Sequence, residues 1–262
     1  MKIRAATRGS PLALWQTNKV ISLLSADFPE LETEIVIVET TGDKDRETSL
    51  SELGGQGAFV KEVQLAVLEG KADFAIHSAK DLPAMSPDGL QLIAFPERAD
   101  SRDVLVGKHW EELPHEACIA TGSIRRKAHL LHQRPDLCFA DLRGNIETRL
   151  KKAEHYDAIV MAKAALDRLG LTPEVVDVLD PSILLPQVGQ GALAIETRSQ
   201  DENLKALFSE IDHADTHRAV LAERAFLHEL GSGCDLPVAA NAVVSGDGIS
   251  LTAVVSSVDG KS

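Results

Sequence analysis

The feature that most limits the fold of this chain is a cadence repeated along its middle: a short apolar run, a turn containing glycine, then an amphipathic helix. Residues 117–120, Thr121-Gly122-Ser123 and the helix IRRKAHLLHQR make one unit. Residues 138–141, Leu142-Arg143-Gly144-Asn145 and IETRLKKAE make the next, and a strand at 158–161 leads to a helix at 164–169 closed by Gly170. Such alternation predicts parallel α/β packing. The N-terminal part has the same character. A strand at 3–7 precedes Ser10-Pro11, an N-cap and first helical residue. Leu12, Trp15, Lys19 and Leu23 follow at helical spacing until Asp27-Phe28-Pro29. Strands are expected at 34–40 and 72–77, with a helix at 59–69 ended by Gly70. The second of these strands runs into Ser78-Ala79-Lys80-Asp81-Leu82-Pro83, where the proline stops ladder pairing. Residues 42–57 are polar and aperiodic, the pattern of a functional lid.

A strand at 103–106, a connector at 181–186, a strand at 192–196 and a helix at 203–211 complete this region. From Asp215 the pattern changes. A helix at 216–230 ends in the loop Gly231-Ser232-Gly233-Cys234, and alternating strands at 238–244 and 249–255 are joined by Ser-Gly-Asp-Gly, a hairpin signal. The expectation is two α/β domains and a small α+β domain.

Composition excludes several function classes. Lys plus Arg number 27 against 40 Asp plus Glu, a net charge of −13, which argues against nucleic-acid binding. No run of eighteen apolar residues is present, so no membrane span is expected. The N-terminus lacks the apolar core and cleavage site of a signal peptide. Cys118, Cys138 and Cys234 are an odd number at wide spacing, neither a disulfide framework nor a zinc site, so a reducing cytoplasm is expected. Without a coiled coil or a repeated apolar stripe, the chain is expected to be a monomer.

In open sheets, ligands bind beyond the carboxyl ends of parallel strands. The polar residues there are Thr7-Arg8, Lys80-Asp81, Ser123 with Arg125-Arg126, and Arg143, with Arg149 farther along the same unit. Between residues 123 and 149 six basic residues face three acidic ones, a local excess of +3. Guanidinium forks and free helix N-termini suit carboxylates. Arg125, Arg126 and Arg143 read better as cleft residues than as a solvated helix face, and Lys127 and Arg134 as the solvated face. Asp81 is either an acid/base group at a buried strand end or a turn cap. Cys118 and Cys138 read as inert core thiols. Cys234, in a glycine-rich loop, reads as a loop cysteine or as an accessible nucleophile. His213 and His217 lack the glutamate of a metalloprotease helix and read as capping or surface residues, so no metal site is expected.

Several segments in order resemble one family. They are Thr7-Arg8-Gly9-Ser10-Pro11-Leu12-Ala13, Gly57-Ala58-Phe59-Val60-Lys61-Glu62, His77-Ser78-Ala79-Lys80-Asp81-Leu82-Pro83, Gly122-Ser123-Ile124-Arg125-Arg126, Leu142-Arg143-Gly144-Asn145, Val188-Gly189-Gln190-Gly191-Ala192 and the Cys234 loop. Together they are similar to the porphobilinogen deaminase (hydroxymethylbilane synthase) family over residues 3 to about 240. The resemblance implies a transferase of tetrapyrrole (haem) synthesis. Two periplasmic-binding-protein-like α/β domains, 1–96 with 189–211 and 97–188, would be followed by a small α+β domain at 212–262. Cys234 would carry a dipyrromethane cofactor by a thioether. Four porphobilinogen units would be added to this primer and linear hydroxymethylbilane released. Asp81 resembles the family's essential carboxylate. By similarity Lys80, Ser123, Arg125, Arg126, Asp43 and Gly144 fall to the cofactor. Arg8, Ser10, Gln16, Phe59, Arg143, Arg149, Arg168 and Gln190 fall to the substrate and its oligopyrrole intermediates. Only 28 residues follow Cys234, so the third domain is expected to be shortened, docked on the other two, or lacking its end. The rival readings are a two-lobed anion-binding protein without catalysis, and a cysteine hydrolase using His228.

Overall fold

The computed structural model of the chain describes residues 1–40, 60–231 and 237–262. Side-chain alternation decides which helices cover which face of the first sheet. In β1 (Lys2–Thr7), Ile3 and Ala5 face one layer and Ala6 the other. Parallel partners of β1 are β2 (Glu32–Ile37) and β3 (Phe74–Ser78). Between β3 and β4 (Leu90–Ala94) lies β10 (Leu193–Arg198), antiparallel to both. Ile3, Ala5, Phe74 and Ile76 pack on Val20 and Leu24 of α1 (Pro11–Asp27) and on Leu204 and Phe208 of α6 (Glu202–Phe208). Ala6 and Ala75 pack on Val63, Ala66 and Val67 of α2 (Lys61–Leu68).

The second sheet is built from β5 (Asp103–Val106), β6 (Cys118–Ala120), β7 (Cys138–Ala140), β8 (Ala158–Ala162) and β9 (Val176–Val178). Leu105, Ile119 and Val160 pack on Leu130 of α3 (Ile124–Gln133). Val104, Ile159 and Met161 pack on Ile146 and Leu150 of α4 (Ile146–Lys152) and Leu166 of α5 (Lys163–Leu169). The cadence read from the sequence therefore makes two α/β lobes.

Both sheets have one strand order, β2-β1-β3-β10-β4 and β7-β6-β8-β5-β9. In each the fourth strand is antiparallel to its neighbours, and it is the strand the chain forms just after crossing from the other lobe. The parallel α/β packing expected from the sequence holds for the rest of each sheet, and β5 and β10 are antiparallel insertions into it. Parallel neighbours need a long return connection, whereas a chain arriving from another lobe can enter the sheet from the opposite end. Two strands, β4 and β9, were not expected; each is an edge strand held by the inserted strand beside it, β10 and β5 respectively, rather than by a pattern of its own. Cys118 and Cys138 also depart from the core reading. They lie opposite one another in β6 and β7, half-buried and exposed respectively, because β7 is the edge of its sheet.

The third unit is α7 (Ala214–Glu229) with the antiparallel hairpin β11 (Val238–Ser245) and β12 (Gly248–Val255). His213 caps α7 by accepting from the Thr216 N–H, and His217 pairs with Asp212, as the capping reading expects. Val238 and Ala240 pack on Leu227 together with Ala84 and Val188. Glu223 lies on this same buried stripe and is wholly excluded from solvent. Its carboxylate receives Arg98 Nη1 at 2.7 Å and the backbone N–H groups of Gly189 at 2.7 Å and Ala242 at 2.8 Å. One side chain thus fastens the third unit to both crossings between the lobes. Arg224 adds bonds from Nη2 to the carbonyls of Pro83 and Ala84, just beyond the Lys80-Asp81 turn.

Replacing Glu223 with Ala leaves the Arg98 guanidinium and two buried N–H groups without their acceptor. Unfolding free energy is expected to fall by about 3–5 kcal/mol, read as a lower urea midpoint at unchanged slope. A loss below about 1 kcal/mol, the size of a surface pair, would show that Glu223 does not hold the joint.

Candidate active site

Beyond the carboxyl end of β3 the chain makes one 3-10 turn, Ala79–Asp81, and the second crossing packs directly against it. Gly189 sits at φ +70°, and a Cβ there would lie 2.9 Å from the Ala79 carbonyl carbon and 3.0 Å from the Lys80 nitrogen. Only glycine permits that approach. Gln187 Nε2 donates to the Lys80 carbonyl at 3.2 Å, and Lys80 Nζ donates to Gln190 Oε1 at 3.3 Å. Gln16, buried on α1, donates to the Ser78 hydroxyl at 2.8 Å and steadies the residue before the turn. Asp81 is half-buried, and its carboxylate accepts no hydrogen bond from any other described residue. Three cations stand in its field: Lys80 beside it, and Arg149 and Arg168 from the second lobe.

Facing this turn, Asp103 at the head of β5 is wholly buried. Its oxygens accept from Arg125 Nη2 at 2.7 Å, Arg126 Nη2 at 2.7 Å and Nε at 3.1 Å, and Gln190 Nε2 at 3.0 Å. Arg125 and Arg126 also donate to the carbonyls of Leu185 and Val160. Burial alone would raise the Asp103 carboxyl. The two guanidiniums and the hydrogen bonds from Arg125 and Gln190 outweigh it and draw the group down from 3.8 to about 2. Burial, reinforced by Arg126 and Arg125 against the pull of Asp81 and Asp103, brings the Lys80 ammonium down to about 8.

Arg168 on α5 is nearly buried; its Nη2 donates to the Gly191 carbonyl at 2.7 Å. Burial lowers this guanidinium to about 10 against the opposing pull of Asp81, so it remains a cation at neutral pH. Arg149 is lowered by burial first, then by repulsion from Arg126 and Arg143. Its Nε donates to the carbonyl of Gly144 at 2.8 Å, while Arg143 Nε donates to Asp141 at 2.7 Å. Gly144, at φ +114°, turns the chain so tightly that a Cβ would meet the Thr148 side chain at 2.7 Å.

Lys80, Asp81, Arg125, Arg126, Arg149, Arg168 and Gln190 are therefore gathered into one region, with Arg143 adjoining Arg149. Ser10 and Ser123 begin α1 and α3 as N-caps, with hydroxyls accepting from Ala13 and Arg126 backbone N–H groups, and Arg8 follows β1. The sequence reading had Arg125 and Arg126 lining an open cleft. They lie instead beneath its surface, with most of their donors turned to Asp103 and to carbonyls. Gln16 and Gln190 are likewise turned inward. Lys127 is exposed and Arg134 pairs with Asp136 at the surface. Asp43, Phe59 and Cys234, and the lid expected at 42–57, lie outside the described residues. Asp103 was missed, although an acidic residue opening the apolar run DVLV was a visible signal.

Replacing Asp103 with Asn leaves two buried guanidiniums without a counter-charge and is expected to cost about 3–5 kcal/mol. The native protein holds this carboxyl below its unfolded value. Its contribution is therefore complete above about pH 4 and is lost as pH falls toward 2. Urea unfolding at pH 2 to 5 should show this acid loss in the native protein and a flatter profile in Asp103→Asn. Parallel profiles would remove the carboxylate from the account.

The model of the porphobilinogen deaminase dipyrromethane cofactor-binding domain matches residues 3–206, and that of the porphobilinogen deaminase C-terminal domain matches residues 217–262. Porphobilinogen deaminase of Syntrophomonas wolfei subsp. wolfei is 46% identical over 264 residues, covering 99% of this chain and 86% of that protein. The Brevibacillus brevis enzyme of the same name is 47% identical over 266 residues, covering 99% and 86%. Among solved structures, the BenM effector-binding domain with benzoate is similar at a TM-score of 0.46 and 15% identity, covering 88% of this chain and 94% of that one. With both parts of the family matched, and a carboxylate ringed by cations at the seam of two lobes, the chain belongs to the porphobilinogen deaminase family, the hydroxymethylbilane synthases of tetrapyrrole synthesis.

Proposed function

We propose that this chain joins four porphobilinogen units head to tail and releases linear hydroxymethylbilane, with Asp81 as the catalytic carboxylate. The observation that carries the reading is the charge balance around the turn after β3. Among the described residues, Lys80, Arg125, Arg126, Arg149 and Arg168 stand against Asp81, Asp103 and, toward Arg149, Asp141, in a chain whose overall charge is −13. A largely buried excess of cations is costly without a counter-anion. A string of pyrroles, each bearing acetate and propionate, supplies one.

The same residues fit a dipyrromethane. Arg125 Nε is buried without a partner among the described residues, a donor left over for a carboxylate. Lys80, Ser123, Arg125, Arg126, Gly144 and Asp43 would hold the group, and Cys234 would carry it as a thioether. When bound it supplies the free pyrrole α-carbon from which the chain grows.

On the substrate side, Arg8, Arg143, Arg149 and Arg168 bind carboxylates, Ser10 and Phe59 contribute further contacts, and Gln16 and Gln190 act as supports. With the aminomethyl nitrogen protonated, breaking its C–N bond in porphobilinogen sends the electron pair out with ammonia and leaves a cationic azafulvene. A fixed negative charge at Asp81, beside the pyrrole N–H, stabilises that cation. As the new C–C bond forms, the pyrrole whose α-carbon attacks the azafulvene loses its α-proton and regains aromaticity, and Asp81 accepts that proton.

We divide the chain into domains at 1–96 with 189–211, 97–188 and 212–262, following the two crossings. We take the working unit to be a monomer. Among the described residues no helix is long and apolar enough to cross a membrane, and Cys118 and Cys138 are unpaired thiols at facing strand positions, which supports a reducing cytoplasm.

Asp81→Asn is expected to keep the native unfolding transition and lose at least about 10²-fold in turnover; full activity would remove its assigned role. Intact mass of protein from a host making porphobilinogen should carry a dipyrrole adduct that is absent from Cys234→Ser. Unmodified wild-type mass, or a loaded Cys234→Ser, would overturn the tether.

A further inference from the structure

We propose that Trp15 is a positioning residue for the reaction: its indole face holds the Arg168 guanidinium across the cleft between the lobes, presenting it to a substrate carboxylate beside Asp81. The inference rests on the reading above in which Arg168 binds a carboxylate.

Trp15 is at helical spacing from Leu12 and Lys19, which would suggest a core position, yet it stays 36% exposed, while the next residue, Gln16, is buried. Its partner comes from the other lobe. The Arg168 guanidinium carbon lies 5.9 Å from the centre of the indole ring. The second restraint is Gly191, in the crossing rather than in Arg168's own lobe. Arg168 is thus held in place from outside the lobe that carries it.

An aromatic partner orients a guanidinium without neutralising it. Arg125 and Arg126 share the full negative charge of Asp103 and spend most of their donors there. Arg168 has no hydrogen-bonded carboxylate among the described residues, and the acidic group in its field is Asp81. A guanidinium has five N–H donors in its plane. The described residues engage one of them, through the Gly191 carbonyl. A ring over the face leaves the in-plane donors to form a two-bond fork with a carboxylate. Loss of the ring would leave a cation of the same charge with more freedom, which weakens binding more than it slows the chemical step.

Steady-state kinetics of the primer-loaded enzyme test this with Trp15→Leu, Trp15→Phe, Arg168→Ala and the double variant Trp15→Leu/Arg168→Ala. Trp15→Leu is expected to raise KM for porphobilinogen about 3- to 30-fold with a smaller change in kcat. Trp15→Phe should recover most of that loss, and the double variant should be no worse than Arg168→Ala. An unchanged KM in Trp15→Leu, a Phe variant as impaired as the Leu variant, or an undiminished Trp15→Leu effect in the Arg168→Ala background would each overturn the inference. An unchanged KM in Arg168→Ala would instead overturn the carboxylate role of Arg168, so the two failures are separable. A folding-independent readout uses Trp110→Phe protein, in which Trp15 is the one remaining tryptophan. Its emission should change on addition of saturating porphobilinogen, and constant emission counts against the contact.

Discussion

Asp103 is wholly excluded from solvent, and two guanidiniums and an amide converge on its two oxygens. Taking three charges out of water is expensive, and a well-packed apolar cluster would serve stability as well or better. What the ionic cluster supplies is position. Through Arg125 and Arg126 it fixes the first turn of α3. Through Gln190 it fixes the second crossing, and Gln190 in turn receives Lys80 in the turn after β3. One carboxylate therefore sets the relative placement of the second lobe, the crossing and the strand end of the first lobe.

The cluster also carries a net positive charge, because one carboxylate faces two arginines. That remainder is felt as far as Lys80, whose ammonium is destabilised by burial and by both guanidiniums. The protein thus holds a cationic field at the seam between its lobes while its surface is acidic. A site of this kind selects by charge density. A ligand with several carboxylates along a flexible backbone completes the balance at several points, while a monoanion satisfies one. The carboxylate of Asp81 keeps the field from being uniformly positive, and in the proposed reaction it is the group that would stabilise a developing cation.

Much of this was legible in the residues. Ser10-Pro11, Gly70 and Gly170 mark helix ends by local chemistry, which needs no tertiary context. Strand-end placement singled out Lys80, Asp81 and Arg125-Arg126 because side chains there have no ladder to occupy. The direction of β5 and β10 was not legible, since direction depends on where the chain comes from rather than on its pattern. Nor was the inward turn of Arg125 and Arg126, because helical spacing gives a face but not the partner beneath it. Glu223 was visible as a charge on the stripe of Val220 and Leu227, and its partners lie 125 residues upstream and 34 and 19 residues away, beyond any window of periodicity.

The inserted antiparallel strands have a consequence for biosynthesis. The second lobe receives β5 from the segment that opens it, so its sheet can be finished as soon as β9 leaves the ribosome. The first lobe must wait for β10, whose residues emerge more than a hundred positions after β3. Until then β3 and β4 each expose an unpaired edge, the condition under which nascent chains associate wrongly. Although the first lobe begins the polypeptide, its sheet is the later of the two to close, and the turn bearing Asp81 acquires its packing against Gly189 only at that stage.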